Sequence, residues 1–372
     1  MVGGGEGAFI GAVHRTALAI DGRCELVCGA LSSTADKAKR SGLAIGLADD
    51  RSYSDYRSML TAEAALPEEI RMQAVAIVTP NHAHFDVAMA ALDAGFHVFC
   101  EKPMVMDMTQ AQALASKVRE TGLVFGLAHT YAGYPLVHQA RSLVAAGRLG
   151  AIRKIIVEYP QGWLARMEEG GDNKQADWRT DPARAGGGGA IGDIGTHAHQ
   201  LAEMISGEAV TEVRAELTRF VDGRRLDDDA EVAFRLSGGG KGHLLATQIA
   251  IGEENGLRIR VHGEKASLRW LQEEPNSLWF QPIDQPAQLW RAAAPYLDDH
   301  VAALCRTPMG HPEGYLEAFA TLYLLFADRV AGKAGNDKIL FPDIDTGLRG
   351  MAFLEAVIAS DHDGGIWRKI NV

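Results

Sequence analysis

Short, nearly continuous apolar runs alternate with amphipathic stretches up to about residue 125. Residues 25–31, 74–78, 96–100 and 123–127 have the length and apolar content of strands buried on both faces. Between them, residues 54–63, 84–94 and 109–121 read as helices, with Thr109 as the expected N-cap of the last. Alternating strands and helices predict a parallel, doubly wound sheet with right-handed crossovers. Beyond about residue 152 the pattern changes. A strand at 152–159 precedes a polar, Trp-containing loop and a helix at 193–205. Strand-like runs then follow at 212–220, 230–236, 242–250, 257–262, 267–272 and 277–280. Turn signals such as Ser237-Gly238-Gly239-Gly240 separate them, so a largely antiparallel sheet is expected. Helices at 314–330 and 346–360 close the pattern.

A chain of 372 residues exceeds one ordinary core, which predicts two domains, 1–128 and 129–372. The last helices are expected to pack back on the first domain. The net charge of −11, with no Lys/Arg block, argues against a nucleic-acid or anionic-membrane surface. Neither a membrane-spanning apolar run nor a leader-like start is seen, and Cys24, Cys28, Cys100 and Cys305 lack metal-type spacing. Free thiols and a cytoplasmic location are the expectation.

Three motifs carry chemistry. Gly3-Gly4-Gly5-Glu6-Gly7-Ala8-Phe9-Ile10-Gly11 would let backbone amides approach a pyrophosphate at a helix N-terminus. Gly3 and Gly5 fit the usual register, whereas Gly11 comes three positions late; the run also reads as a plain flexible turn. A second glycine run, Gly187 to Gly192, follows a loop instead of a strand, so it reads as a decoy. Ser32 and Ser33 end the second expected strand, where an NAD-selective site usually carries an acid. Small hydroxyls there, with Lys37 or Lys39 nearby, leave room for a 2′-phosphate and favour NADP or dual use. The same serines also suit a helix cap.

Thr79-Pro80-Asn81-His82-Ala83-His84 follows the strand at 74–78 and belongs at the carboxyl edge of the sheet, over a cofactor or merely opening a helix. Glu101-Lys102-Pro103 follows the strand at 96–100 at the same edge. In Asp193-Ile194-Gly195-Thr196-His197 the i,i+4 spacing puts a carboxylate and an imidazole on one helix face, where the first tunes the second as an acid/base. Lys102 would polarise a carbinol oxygen or share the proton relay while a nicotinamide accepts hydride. An i,i+4 salt bridge is the plain alternative. His197 and His199 stand i,i+2 with no third ligand in sight, so no metal is expected.

These residues resemble the glucose–fructose oxidoreductase/inositol dehydrogenase (Gfo/Idh/MocA) family, over most of the chain. The resemblance implies an N-terminal Rossmann domain, a C-terminal α/β domain with an open, mainly antiparallel sheet, and a homodimer or homotetramer built through that sheet. By motif, Lys102 corresponds to the active-site lysine, Asp193 to the relay carboxylate and His197 to the general acid/base. Gly3, Gly5, Phe9, Ile10, Ser32, Ser33, Thr79, Pro80, Asn81, His84, Glu101 and Lys102 would border NAD or NADP. Tyr131, Gln161, Trp163, Trp178 and Arg179 would border the substrate with Asp193 and His197. The segment Glu158-Tyr159-Pro160-Gln161-Gly162-Trp163 resembles the substrate strand of glycoside- and anhydrosugar-oxidising members. Gln200 replaces the second acid of many inositol dehydrogenases, which points away from inositol itself. Met1-Val2 directly precede the glycines, so the central first strand is expected to be truncated. The implied activity is NAD(P)-dependent oxidation or reduction of a sugar, cyclitol or glycoside. An NAD-dependent glycosidase working by transient oxidation and elimination, or a non-catalytic dinucleotide-binding regulator, would use the same fold.

Overall fold

Four short strands with little polar character form the first sheet. The computed structural model describes residues 1–171, 173–333 and 336–372 and divides into two units. The first comprises Met1–Thr130, Tyr315–Gly335 and Phe341–Leu348; the second comprises Tyr131–Gly314, Asn336–Leu340 and Arg349–Val372. In the first unit the chain runs β1 (Val2–Gly3), α1 (Phe9–Ile20), α2 (Ala35–Ala44), α3 (Tyr56–Ala64), β2 (Ala74–Val78), α4 (His84–Asp93), β3 (His97–Cys100), α5 (Met108–Thr121) and β4 (Phe125–Leu127). The strands pair in parallel in the order β1-β2-β3-β4. Val75, Ile77, Val98, Phe99 and Cys100 are all buried, as strands covered on both faces must be. A fully buried side chain such as Phe99 contributes about 1.5–3 kcal/mol.

Two sequence expectations need correction here. The strand expected at 25–31 is reduced to isolated bridges, Val2 to Ala30 and Gly29 to Ser52. A strand needs a neighbour, and β1 is two residues long, so residues 25–28 have no partner strand among the described residues. They face a cavity of about 580 Å³ that Met1 and Met72 to Ala76 also line. The Met1 ammonium donates to the Cys28 carbonyl at 3.0 Å, and burial lowers its pKa. The α5 cap is Asp107 and not Thr109: its carboxylate accepts from the Gln110 amide at 2.8 Å.

The second unit begins with α6 (Pro135–Ala145) and β5 (Ile152–Pro160), followed by α7 (Lys174–Arg179) and α8 (Pro182–Ala185). A π-helical turn, Ile191–Gly195, runs directly into α9 (Thr196–Ser206). Strands β6 (Val210–Thr218), β7 (Asp229–Leu236), β8 (Lys241–Thr247), β9 (Arg258–Gly263), β10 (Ala266–Leu271), β11 (Ser277–Pro282) and β12 (Gln288–Arg291) come next, then α10 (Asp299–Ala302). Helices α11 (Tyr315–Val330) and α12 (Ile344–His362) and strand β13 (Arg368–Lys369) complete the chain. The nine-stranded sheet has the order β12-β11-β10-β9-β5-β8-β7-β6-β13. Every pairing is antiparallel except β5 with β8. Among the described residues no helix is long and apolar enough to cross a membrane, and the four cysteines are free thiols.

Candidate active site

Glycine makes the first turn possible. Gly3, Gly4 and Gly7 have φ of +81°, +74° and +77°, a region that other residues enter at a cost. A Cβ on Gly5 would lie 2.4 Å from the Leu31 carbonyl oxygen, and one on Gly11 would lie 2.3 Å from Gly4 Cα. Gly11, late in the register, is thus what lets α1 press against the loop. Ala8 stands at the N-cap with no side-chain oxygen to cap α1, and Phe9 and Ile10 open the helix. Its first amides are therefore available to an anion. Thr79 Oγ1 is buried with no partner among the described residues, and Asn81 is buried beside Pro80. A phosphate-bearing dinucleotide fits this donor set. Ser32 Oγ accepts weakly from the Thr34 amide at 3.4 Å and Ser33 is exposed. Lys39 is engaged with Asp49 at 3.2 Å.

Two buried histidines frame Glu101-Lys102-Pro103. His14, on α1, places Nε2 2.8 Å from Glu101 Oε1 and Nδ1 2.6 Å from the Tyr323 hydroxyl on α11. Glu101 Oε2 in turn accepts from the Lys102 amide at 3.2 Å. Burial pushes the Glu101 carboxyl up, but the His14 hydrogen bond and charge and the Lys102 ammonium outweigh it and hold it below the usual range. His84, fully buried on α4, contacts the Thr79 and Pro103 carbonyl oxygens at 2.9 Å each. With one ring nitrogen against each of these carbonyl oxygens, His84 links the Thr79 and Pro103 loops from within α4. Glu101 likewise faces inward. Lys102, half-buried, follows it directly. Because leaving a buried carboxylate without its hydrogen-bond partner costs about 1–3 kcal/mol or more, His14→Phe is expected to lower the unfolding free energy by about that amount in urea titrations.

The second unit holds the Asp193–His197 segment. The run Gly186 to Gly189 leads into the π turn, and here the decoy glycines show their use. The Asp227 carboxylate accepts from the Gly189 amide at 2.6 Å and the Ile191 amide at 2.8 Å. The Asp227 carbonyl takes the Ala190 amide at 2.9 Å. A Cβ on Gly189 would lie 2.0 Å from that carbonyl oxygen. The anion at this helix start is the protein's own side chain.

Asp193 Oδ2 accepts from Gln248 Nε2 at 3.0 Å and lies 3.2 Å from Arg179 Nε. The Arg179 guanidinium stacks 4.2 Å over the Trp178 ring. His197 is 7% exposed, with its ring edge-on to Tyr131 at 4.8 Å and tilted to Tyr159 at 6.3 Å. His199 turns elsewhere, stacked on Phe353 at 4.1 Å with Nε2 3.3 Å from Glu203. Burial pushes the Glu203 carboxyl up, but His199 and Arg349 overcome this and hold it at about 2, which pins the end of α9. Gln200 is buried, and its Oε1 has no partner among the described residues. Among those residues no group of three His, Cys, Asp or Glu could hold a metal ion.

Gln161 and Trp163 join a network that sequence reasoning missed. Trp163 Nε1 donates to Gln161 Oε1 at 3.0 Å, and Gln161 Nε2 donates to Asn255 Oδ1 at 2.8 Å. Tyr159 donates to the same Oδ1 at 2.7 Å, and the Tyr131 and Tyr159 hydroxyls share a hydrogen bond. Asn255 sits in a turn, Glu253-Glu254-Asn255-Gly256, with no local signal of a role. His14, Tyr323 and Asp227 were equally silent, since each acts on a partner remote in sequence.

The chain matches the family models for an oxidoreductase family with NAD-binding Rossmann fold over residues 1–129 and for a GFO/IDH/MocA C-terminal domain over residues 137–269. An uncharacterised oxidoreductase of Bacillus subtilis, YfiI, is 32% identical over 99% of this chain and 95% of its own length. An inositol dehydrogenase homologue from Azotobacter vinelandii, solved with NAD+, superposes with a TM-score of 0.94 at 35% identity over 99% of this chain and 96% of its own. Its complex with NADH and myo-inositol gives 0.91 at 33% identity over 99% and 96%. Levoglucosan dehydrogenase of Pseudarthrobacter phenanthrenivorans is 28% identical over 66% of this chain and 63% of its own. A shared family over nearly the whole length, with the expected Rossmann unit and antiparallel sheet in place, leaves one assignment: the chain belongs to the Gfo/Idh/MocA family of oxidoreductases, and its first unit is that family's NAD-binding domain.

Proposed function

We propose that this oxidoreductase transfers a hydride between a nicotinamide and a secondary carbinol of a sugar, cyclitol or glycoside. The observation that carries the reading is the wall around His197. A buried imidazole is bordered by the phenols of Tyr131 and Tyr159, and behind Tyr159 the hydrogen bonds run on through Asn255 to Gln161 and Trp163. Such a wall suits a molecule with many hydroxyl groups and an apolar C–H face. His197 takes the hydroxyl proton as general base. Asp193, oriented by Arg179 and Gln248, favours the imidazolium that results. The Lys102 ammonium stabilises the developing alkoxide. Phe9 and Ile10 would hold the pyrophosphate through backbone amides, Gly3 and Gly5, whose own amides donate to Ala30 and Leu31, would leave it room, and Thr79, Pro80 and Asn81 would border the nicotinamide. The bound cofactor supplies the hydride acceptor.

Ser32 and Ser33 leave the ribose pocket open to a 2′-phosphate, which supports use of NADP as well as NAD. Assembly as a homodimer or homotetramer through the nine-stranded sheet belongs to the same proposal. The test is absorbance at 340 nm with myo-inositol, D-glucose, D-xylose and levoglucosan, each with NAD+ and NADP+. Reduction with at least one pair is the expected result. Tight cofactor binding with no reduction by any of them would contradict the proposal. Release of free sugar from a glycoside without net reduction would favour the eliminating glycosidase instead.

A further inference from the structure

The network at Asn255 has a direction that chemistry alone settles. Trp163 Nε1 can only donate. The Gln161 atom it meets must therefore be the carbonyl oxygen, which turns Gln161 Nε2 toward Asn255. That nitrogen also donates, so it must meet Asn255 Oδ1, and Asn255 Nδ2 must point the other way. There it donates to the Tyr131 hydroxyl oxygen at 3.2 Å and to Gln272 Oε1 at 3.0 Å. Gln272 is fixed in turn, with Nε2 donating to the Tyr134 hydroxyl at 3.3 Å. One indole thus sets the orientation of three amides.

The phenols follow. Tyr159 donates its proton to Asn255 Oδ1 at 2.7 Å. The proton shared by Tyr131 and Tyr159 must then come from Tyr131. Tyr131 to Tyr159 to Asn255 and back to Tyr131 is a closed ring in which every member both gives and accepts. Such rings strengthen each bond. Asn255 uses both lone-pair positions of Oδ1 and both protons of Nδ2, and its backbone amide is anchored to Glu273 Oε1 at 3.0 Å. Tyr131 and Tyr159 are also the rings that flank His197.

We propose that Asn255 is a positioning and specificity-determining residue. It commits the protons of Tyr131 and Tyr159 to the ring, so that these phenols meet a substrate as hydrogen-bond acceptors. The wall then prefers a ligand that donates free hydroxyls at this position over one carrying a methyl ether or carbonyl there. This rests on the substrate reading above, although its physical part stands without it. No other side chain of similar size serves: Asp lacks the Nδ2 protons, and Leu lacks both halves.

The test uses the full-length protein. In wild type labelled with [13Cζ]tyrosine, two slowly exchanging hydroxyl protons are expected, assigned through Tyr131→Phe and Tyr159→Phe. Asn255→Leu, which removes both the acceptor and the donor, should release both at neutral pH. For the panel sugar of highest kcat/KM, Asn255→Asp should raise KM about tenfold or more with kcat within about threefold, the pattern of lost binding. Cofactor affinity should not change. Adding Tyr131→Phe to Asn255→Asp should cost less than twofold further, because both act through one ring. Lowering the pH should restore KM in Asn255→Asp, where a protonated acid again has a donor and an acceptor, and should not in Asn255→Leu. Tyrosine protons unchanged by Asn255→Leu would overturn the proposal whatever the activity. Equal, additive and pH-independent effects of Asp and Leu would overturn it too, leaving Asn255 a packing residue. If wild type reduces no cofactor with any panel sugar, the substrate reading falls, and the tyrosine protons still decide the ring.

Discussion

Lys102→Ala is expected to lower kcat/KM for the preferred sugar about 10³-fold while leaving NAD+ affinity within about threefold of wild type. The first figure corresponds to about 4 kcal/mol of transition-state stabilisation, the range found for a single pre-organised donor facing a developing oxyanion. The second follows from the fold. The glycine turn and the α1 amides, which are proposed to hold the dinucleotide, do not depend on the lysine side chain. Neither does the frame behind it: Glu101 is held by His14 and Tyr323 through α1 and α11, so the substitution should leave the sheet edge intact. Lys102→Arg should recover part of the loss, since guanidinium keeps the charge but not the geometry of an ammonium. Steady-state kinetics with cofactor titration by fluorescence provides the measurement. A variant that keeps a tenth or more of its turnover would remove Lys102 from the chemistry.

Asp227→Ala is expected to cost about 3 kcal/mol of stability, because two amides at the start of the π turn lose a charged acceptor and are left buried. Activity should fall with it, since the π turn carries Asp193. The pH dependence gives a sharper check. Burial raises the Asp227 carboxyl to about 6, against an ordinary value near 3.8, and the amide hydrogen bonds offset only part of this. A group whose folded value lies above its unfolded one stabilises fully below the lower value. That contribution is then lost as pH rises through about 6. Wild type should therefore lose on the order of 2–3 kcal/mol from this site between pH 4 and 6. Asp227→Asn, which carries no charge at either end, should flatten that segment of the curve. Urea unfolding at a series of pH values reads both effects. An unchanged slope in Asp227→Asn would mean that another group is responsible.

What could be read from the chain depended on where the partners lie. The strands at 74–78 and 96–100 were legible because burial on both faces leaves an unbroken apolar run. Helix α6 was not, since Pro135 to Ala140 are all buried and leave no polar face to mark the period. The expected strand at 25–31 failed for a reason outside the segment, namely the two-residue length of β1. Gly11 looked out of register, yet its use is steric and depends on the approach of Gly4. Lys102, Asp193 and His197 stood out because each sits in a compact motif. Their supports did not. Glu101 meets His14 across 87 positions, and Asn255 meets Tyr131 across 124. The carboxylate that meets the second glycine run, Asp227, lies 36 residues beyond Ile191 and had no signal of its own.

The central claim is that hydride passes directly between a sugar carbon and the cofactor under the control of Lys102, Asp193 and His197. It is tested most directly with the preferred sugar deuterated at its ring carbons, incubated with NAD+ and protein and followed by NMR of the reduced nicotinamide. The account predicts one deuterium at nicotinamide C4, on a single face, with a primary isotope effect on turnover and no signal from Lys102→Ala. Product formed with no deuterium in the cofactor, or with hydrogen drawn from solvent, would contradict it.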